Sequence, residues 1–226
     1  MLDIYFHATP NSMKVILLLE ELGLAYAVKP VDIFKGEQHD QAFRQINPNG
    51  KLPAVVDGGT AIFDSHAILL YLAERHGQFG EPDRAQVLSW LQMVATGLSP
   101  FSGQAAHFLH YAPNLSCASD LPYATHRYVK EVERHYAVLD ARLAQSPYLA
   151  GDNYSIADMA LWGWAISAPF IFGAKGLEGY PNVARLVGEI NARPAAVKAL
   201  ALRATHTTPM EMDATARRAM FPQALV

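Results

Sequence analysis

Cysteine is almost missing from this chain. Its 226 residues include one, Cys117, so neither an intramolecular disulfide nor a cysteine-pair metal site can form. An excess of charge of one sign is missing as well. The 18 Lys and Arg against 21 Asp and Glu leave a formal net charge of −3, which exerts no long-range pull on nucleic acid or an anionic membrane. No run offers the roughly 20 consecutive apolar residues that span a bilayer. Met1 to His7 carries neither a basic leader nor the apolar stretch of a signal peptide. No internal repeat or low-complexity segment interrupts the chain. These absences point to a soluble, cytoplasmic protein that engages neither nucleic acid nor membrane. Apolar residues are abundant: 51% of the chain is hydrophobic, enough for the core of one large domain or two small ones.

The first third switches between strand and helix periods. Leu2, Ile4 and Phe6 alternate with polar neighbours, the period of a strand. Ala8-Thr9-Pro10-Asn11 follows as a turn, and Thr9, Asn11 and Ser12 are all suitable caps for the helix that runs on to Gly23. Tyr26 to Ile33 reads as a second strand. Strand, helix and strand within about thirty residues suggest a βαβ unit with parallel strands. Phe34 to Ile46 reads as a loop with a short helix. Leu52 to Asp57 is a third strand, and Asp57-Gly58-Gly59-Thr60 is a hairpin turn. Ala61 to Phe63 returns as a fourth strand before a helix from Ser65 to about His76. Beyond Gly77–Pro82 the strand signals stop. Helices are expected over 84–110 with an interruption near Gly97-Leu98-Ser99-Pro100, over 123–143, from Ser155, over 181–191 and over 194–203. Ser155-Ile156-Ala157-Asp158 has capping-box spacing. The helix it opens is apolar nearly all round, as a buried central helix is.

The stretch Asn47 to Val56 organises the rest. Pro53 sits where the third strand begins, a place that tolerates a residue without an N–H. A cis Leu52–Pro53 bond would turn the N–H and C=O of Leu52 outward into a cleft, where a ligand's backbone could pair with them; a trans bond would leave an ordinary Asn-Gly turn and edge strand.

With these elements in order, the chain resembles a glutathione transferase. The resemblance rests on Leu52-Pro53-Ala54-Val55, on Phe63-Asp64-Ser65-His66-Ala67-Ile68 through Leu72, and on Tyr154-Ser155-Ile156-Ala157-Asp158. It implies an α+β fold, with a thioredoxin-like βαβ-ββα domain over 1–77 that binds glutathione and an all-helical domain over 84–226. Thr9-Pro10-Asn11, Lys35-Gly36-Glu37-Gln38 and Gly97-Leu98-Ser99-Pro100 resemble the bacterial nu class in particular. That class implies a homodimer using glutathione as co-substrate or redox cofactor to reduce small disulfides, with modest conjugation of electrophiles and no metal. It also implies that Leu52 holds the cysteinyl part of glutathione, that Pro53 is cis, that Asp64 and Ser65 grip the γ-glutamyl end, that Thr9 and Asn11 stand at the sulfur, and that Arg127 reaches the ligand across the dimer. Two departures bear on substrate choice: His66 stands where small or other polar residues are usual, and the loop 57–61 is short.

The chemistry asked of these residues is modest. A thiol has an ordinary pKa of about 8.5 and attacks as the thiolate. One pKa unit corresponds to about 1.4 kcal/mol, within reach of one or two neutral donors at a helix N-terminus. Thr9 and Asn11 can supply such donors, or can simply cap the helix. Gln38 and Lys51 can reach the glycyl carboxylate. Tyr5 and Ser12 are weaker rivals for the sulfur. His107 and His110 share a helix face without a third ligand for a metal and read as core or substrate-pocket histidines. His107, Phe108 and Tyr111 are expected to border the second substrate between the two domains. Cys117 reads as a bystander. The competing function is a non-catalytic binding or assembly module of the same fold.

Overall fold

A computed structural model describes residues 1–115, 121–207 and 213–222. Cys117 lies outside them. The N-terminal third forms one four-stranded sheet. β1 (Leu2–Phe6) leads to α1 (Pro10–Glu21), β2 (Tyr26–Pro30), the short α2 (Gln41–Ile46), β3 (Ala54–Asp57), β4 (Thr60–Phe63) and α3 (Ser65–His76). The strand order is β2-β1-β3-β4. β1 and β2 are parallel, as a βαβ crossover requires, and β3 and β4 are antiparallel additions. Leu2, Ile4 and Phe6 all face the core, as their alternation predicts.

The remainder is helical: α4 (Arg84–Met93), α5 (Ser99–Ala106), α6 (Pro122–Leu143), α7 (Ile156–Ala165), the single-turn α8 (Pro169–Phe172), α9 (Pro181–Asn191), α10 (Pro194–His206) and α11 (Ala214–Met220). The expected break near Gly97 is instead a wide turn. Val94–Leu98 and His107–Tyr111 each adopt π-helical geometry, so the chain from Arg84 to Tyr111 stays helical without stopping. Gly97 lets this stretch pack closely on α6, because a Cβ there would come within 2.2 Å of the His135 ring.

Every residue of α7 is buried. The capping box holds its start. Asp158 accepts from the Ser155 backbone at 2.9 Å and from the Leu149 backbone at 2.8 Å. The run Ile156–Lys175 is long and apolar enough by length and composition to cross a membrane, although Asp158, Ser167 and Lys175 interrupt it, and 61% of its most apolar part is buried inside the protein. Its hydrophobicity goes into the core, where each fully buried large aliphatic side chain contributes about 1.5–3 kcal/mol.

α1 is buried between the sheet and the helical layer: Ser12 to Leu19 are all inaccessible to solvent. α7 packs directly on it. A Cβ at Gly163 would stand 2.5 Å from the Pro10 carbonyl oxygen and 3.1 Å from Lys14 Cβ, so only glycine allows the two helices this close. That approach brings Trp164 to the start of α1.

Candidate functional site

Thr9 is the N-cap of α1. Its Oγ1 accepts from the Ser12 backbone N–H at 3.2 Å and lies 3.1 Å from Ser12 Oγ, with Pro10 at the first helical position. Ser12 is fully buried in this role. Tyr5, on β1, packs its ring against Phe43 of α2. Neither rival for the sulfur opens into the cleft beside Thr9.

That cleft has a volume of about 580 Å³ and is bordered by Thr9, Asn11, Gln38, Lys51 and Leu52 from the sheet layer and by Tyr111, Trp164 and Phe170 from the helices. Asn11 is the most constrained of these residues. Its Oδ1 accepts from Lys14 Nζ at 2.9 Å and from Trp164 Nε1 at 3.2 Å. An indole N–H and a lysine amine facing it both act as donors, so the amide has one sensible orientation: oxygen inward, NH2 turned the other way. The arrangement leaves a neutral donor at the mouth of α1, where the helix dipole also favours negative charge.

Lys14 is the unexpected member. It is wholly buried, and Nζ also lies 3.3 Å from His66 Nε2. Among the described residues no carboxylate forms an ion pair with it. Burial pushes its pKa down to about 7, against a smaller upward pull from Asp64. Burial, and then the neighbouring Lys14, hold His66 far below its ordinary value, so this imidazole is neutral. His66 is thus the acceptor that satisfies a second proton of Lys14.

The Leu52–Pro53 peptide is cis. Among the described residues the N–H and C=O of Leu52 bond to no other backbone group, and Leu52 lines the cleft. Lys51 lines it as an exposed side chain, its carbonyl tied to Asn47 Nδ2 at 2.6 Å. Asp64 and Ser65 stand beside the cleft rather than lining it. Asp64 has φ 70°, a rare backbone state for a non-glycine residue, and caps α3 by accepting from the His66 and Ala67 N–H groups at 2.9 and 3.3 Å. Two-thirds of its side chain remains open to solvent. Ser65 is buried beneath it.

Gln38 departs from the simple expectation. Its amide nitrogen donates to Ile33 O at 3.3 Å and to Ala219 O at 3.1 Å, while Oε1 is buried without a partner. The atom it leaves without a partner is an acceptor. His39 makes a 2.7 Å bond to the same Ala219 carbonyl. α11 therefore lies across the cleft, with Met220, Phe221 and Pro222 in its wall and Phe221 packed on His107 and Tyr111. Arg127 sits on α6, half exposed, paired with Glu131 four residues on at 3.3 Å; it lines no part of this cleft. Of the three residues expected around the second substrate, His107, Phe108 and Tyr111, the last borders the cleft. Phe108 stacks on Tyr128, His107 packs on Phe221, and His110 bonds the Phe170 carbonyl at 2.5 Å.

Lys14 and Trp164 are the two residues that sequence reasoning missed. A lysine three positions after Asn11 reads as a solvated helix face, and a tryptophan in an all-apolar helix reads as core.

Comparison with known proteins places this arrangement. Residues 8–75 match the glutathione S-transferase N-terminal domain and residues 122–188 the glutathione S-transferase C-terminal domain. The chain is 43% identical over 210 residues to the disulfide-bond oxidoreductase YfcG of Escherichia coli (strain K12), covering 88% of this chain and 94% of that one. Among solved structures it is similar to the glutathione transferase URE2P6 of Phanerochaete chrysosporium in complex with oxidized glutathione: TM-score 0.83, 30% identity, 91% and 97% of the two chains covered. It is also similar to a glutathione transferase of Pseudomonas putida with one glutathione disulfide bound per subunit: TM-score 0.79, 33% identity, 88% and 90% covered.

Proposed function

The chain belongs to the glutathione S-transferase family, and from that premise we propose that it is a glutathione-dependent disulfide reductase working in the Asn11 cleft. The observation that carries this reading is the fixed Asn11 amide: two donors hold its oxygen, which leaves its NH2 for a sulfur placed over the start of α1. Its relatives' names and bound ligands support the same assignment.

The residues divide the work by chemistry. The unpaired Leu52 main chain suits the cysteinyl backbone of glutathione, a donor and an acceptor in register. The exposed edge of the Asp64 carboxylate suits the γ-glutamyl ammonium, and the start of α3 with Ser65 suits its carboxylate. Lys51 suits the glycyl carboxylate, and Gln38 borders the ligand from the same side. Thr9 and Asn11 lower the thiol pKa, so that more thiolate is present near neutral pH. The thiolate forms a bond to one sulfur of the substrate disulfide and the old S–S bond breaks. The departing thiolate takes a proton, and a second glutathione displaces the other half. Two glutathiones become glutathione disulfide while the substrate gains two electrons and two protons.

The division between the two domains falls in 78–83 on this reading, and the molecule is a cytoplasmic homodimer without membrane contact in which Arg127 serves the partner's cleft. Exposed Phe63, Tyr123 and Val138 supply apolar surface suited to such an interface.

Retention on immobilised glutathione followed by a hydroxyethyl disulfide assay tests the function. Binding with turnover is expected. Binding without turnover on any disulfide returns the chain to the non-catalytic module.

A further inference from the structure

A second cleft of about 480 Å³ opens from the first and shares Thr9, Tyr111 and Phe170 with it. Its other walls include Phe34 and Ile166, and one ionised side chain lines it, Arg203 in the last turn of α10. His7 also lines it, but burial lowers its pKa and its ring nitrogen is spent on the Val31 carbonyl at 3.1 Å.

Arg203 is half-buried and makes no hydrogen bond or ion pair through its side chain with any described residue. Other half-buried arginines are partnered: Arg142 donates to the Leu149 carbonyl, Arg185 pairs with Glu189 and Arg193 with Glu21. Nor does Arg203 serve its own helix end. Leu202 O takes Thr205 Oγ1 and His206 Nδ1, and Arg203 O takes Thr207 Oγ1. Withdrawing a guanidinium from water without a counter-charge is costly, so a ligand anion gains most of what the fold leaves unmet. A guanidinium matches a carboxylate with two parallel bonds.

We propose that this cleft is the acceptor site and that it selects a small, largely apolar disulfide carrying a carboxylate, with Arg203 as the specificity-determining residue. The inference rests on the reductase reading for its chemistry: the glutathione thiolate bonds to the near sulfur at Thr9, the S–S bond breaks, and the carboxylate-bearing half leaves as a thiolate that takes a proton from water. The aromatic walls hold the apolar body and Arg203 holds the charge at its far end.

Binding and turnover test it separately. Titration calorimetry on the full chain compares phenylpropionate with phenylpropanamide, which differ in charge and little in shape. The carboxylate is expected to bind about tenfold tighter or more, and Arg203→Gln to erase the difference. Equal affinities, or a preference that survives Arg203→Gln, overturn the proposal. In turnover, kcat/KM is compared for dithiodipropionate, hydroxyethyl disulfide and cystamine. The expected order runs anionic, neutral, cationic. Arg203→Gln is expected to collapse the anionic-to-neutral ratio about tenfold and Arg203→Lys to restore part of it. A ratio unmoved by Arg203→Gln contradicts the assignment. Carboxylate-selective binding without turnover of any of the three upholds the anion site and brings down the reductase reading instead.

Discussion

Replacing Lys14 with methionine tests the site where the structure is most unusual. The side chain is fully buried, and its amine meets Asn11 Oδ1 and His66 Nε2. The groups that face it are few. Asn11 comes from α1, His66 and Asp64 from the start of α3, and Gly163 and Trp164 from α7 add no charge. Burial takes the amine from its ordinary 10.5 to about 7. Between those values the unfolded chain binds a proton that the folded chain has given up, so stability rises with pH across that window. Below it both states hold the proton and this group adds no slope. Integrating the linkage relation from about pH 7 to about pH 9 gives the native state about 2 kcal/mol. Urea unfolding at one fixed protein concentration, at both pH values, measures this. The wild type is expected to gain about 2 kcal/mol more over the interval than Lys14→Met. The variant also removes one of the two donors that fix the Asn11 amide, leaving Trp164, and kcat/KM for disulfide reduction is expected to fall about tenfold. Parallel pH profiles for the two proteins would refute the claim that a buried, weakly partnered amine stands behind Asn11.

Gly163→Ala places a methyl group against the Pro10 carbonyl oxygen. A loss of about 1–3 kcal/mol in thermal unfolding is expected, together with reduced turnover because Trp164 moves off Asn11. Asp158→Ala removes the acceptor for the Leu149 and Ser155 N–H groups at the buried start of α7. A cost of about 2–4 kcal/mol is expected in urea unfolding; a change under about 0.5 kcal/mol would show that the capping box contributes little.

Much of this architecture was legible because its periods are local. The alternation of Leu2, Ile4 and Phe6 and the hairpin at Gly58–Gly59 gave strands in the right places. The Ser155–Asp158 spacing marked α7 correctly. The parts that were not legible depend on contacts between distant residues. Trp164 and Asn11 are 153 positions apart, and nothing near either announces the pairing; the local clue was Gly163, whose missing side chain allows the approach. Lys14 looks solvated until α3 and α7 close over it. The wide turn at 94–98 looks like a break because Gly97 and Pro100 are poor helix residues, yet packing on α6 keeps the chain helical, and nothing in the sequence marks the second wide turn at 107–111. α11 has too short an apolar pattern to be read, though its Ala219 carbonyl takes the Gln38 amide nitrogen and so fixes which end of that side chain is left without a partner.

The most direct measurement is the pKa of the glutathione thiol bound to wild type and to Asn11→Ala, followed by the ultraviolet absorbance of the thiolate. A value below the ordinary 8.5 or so in the wild type, rising by about one unit in the variant, is expected if the fixed amide donates to sulfur. Identical titrations for the two proteins, with glutathione bound equally tightly, would contradict the role given to Asn11.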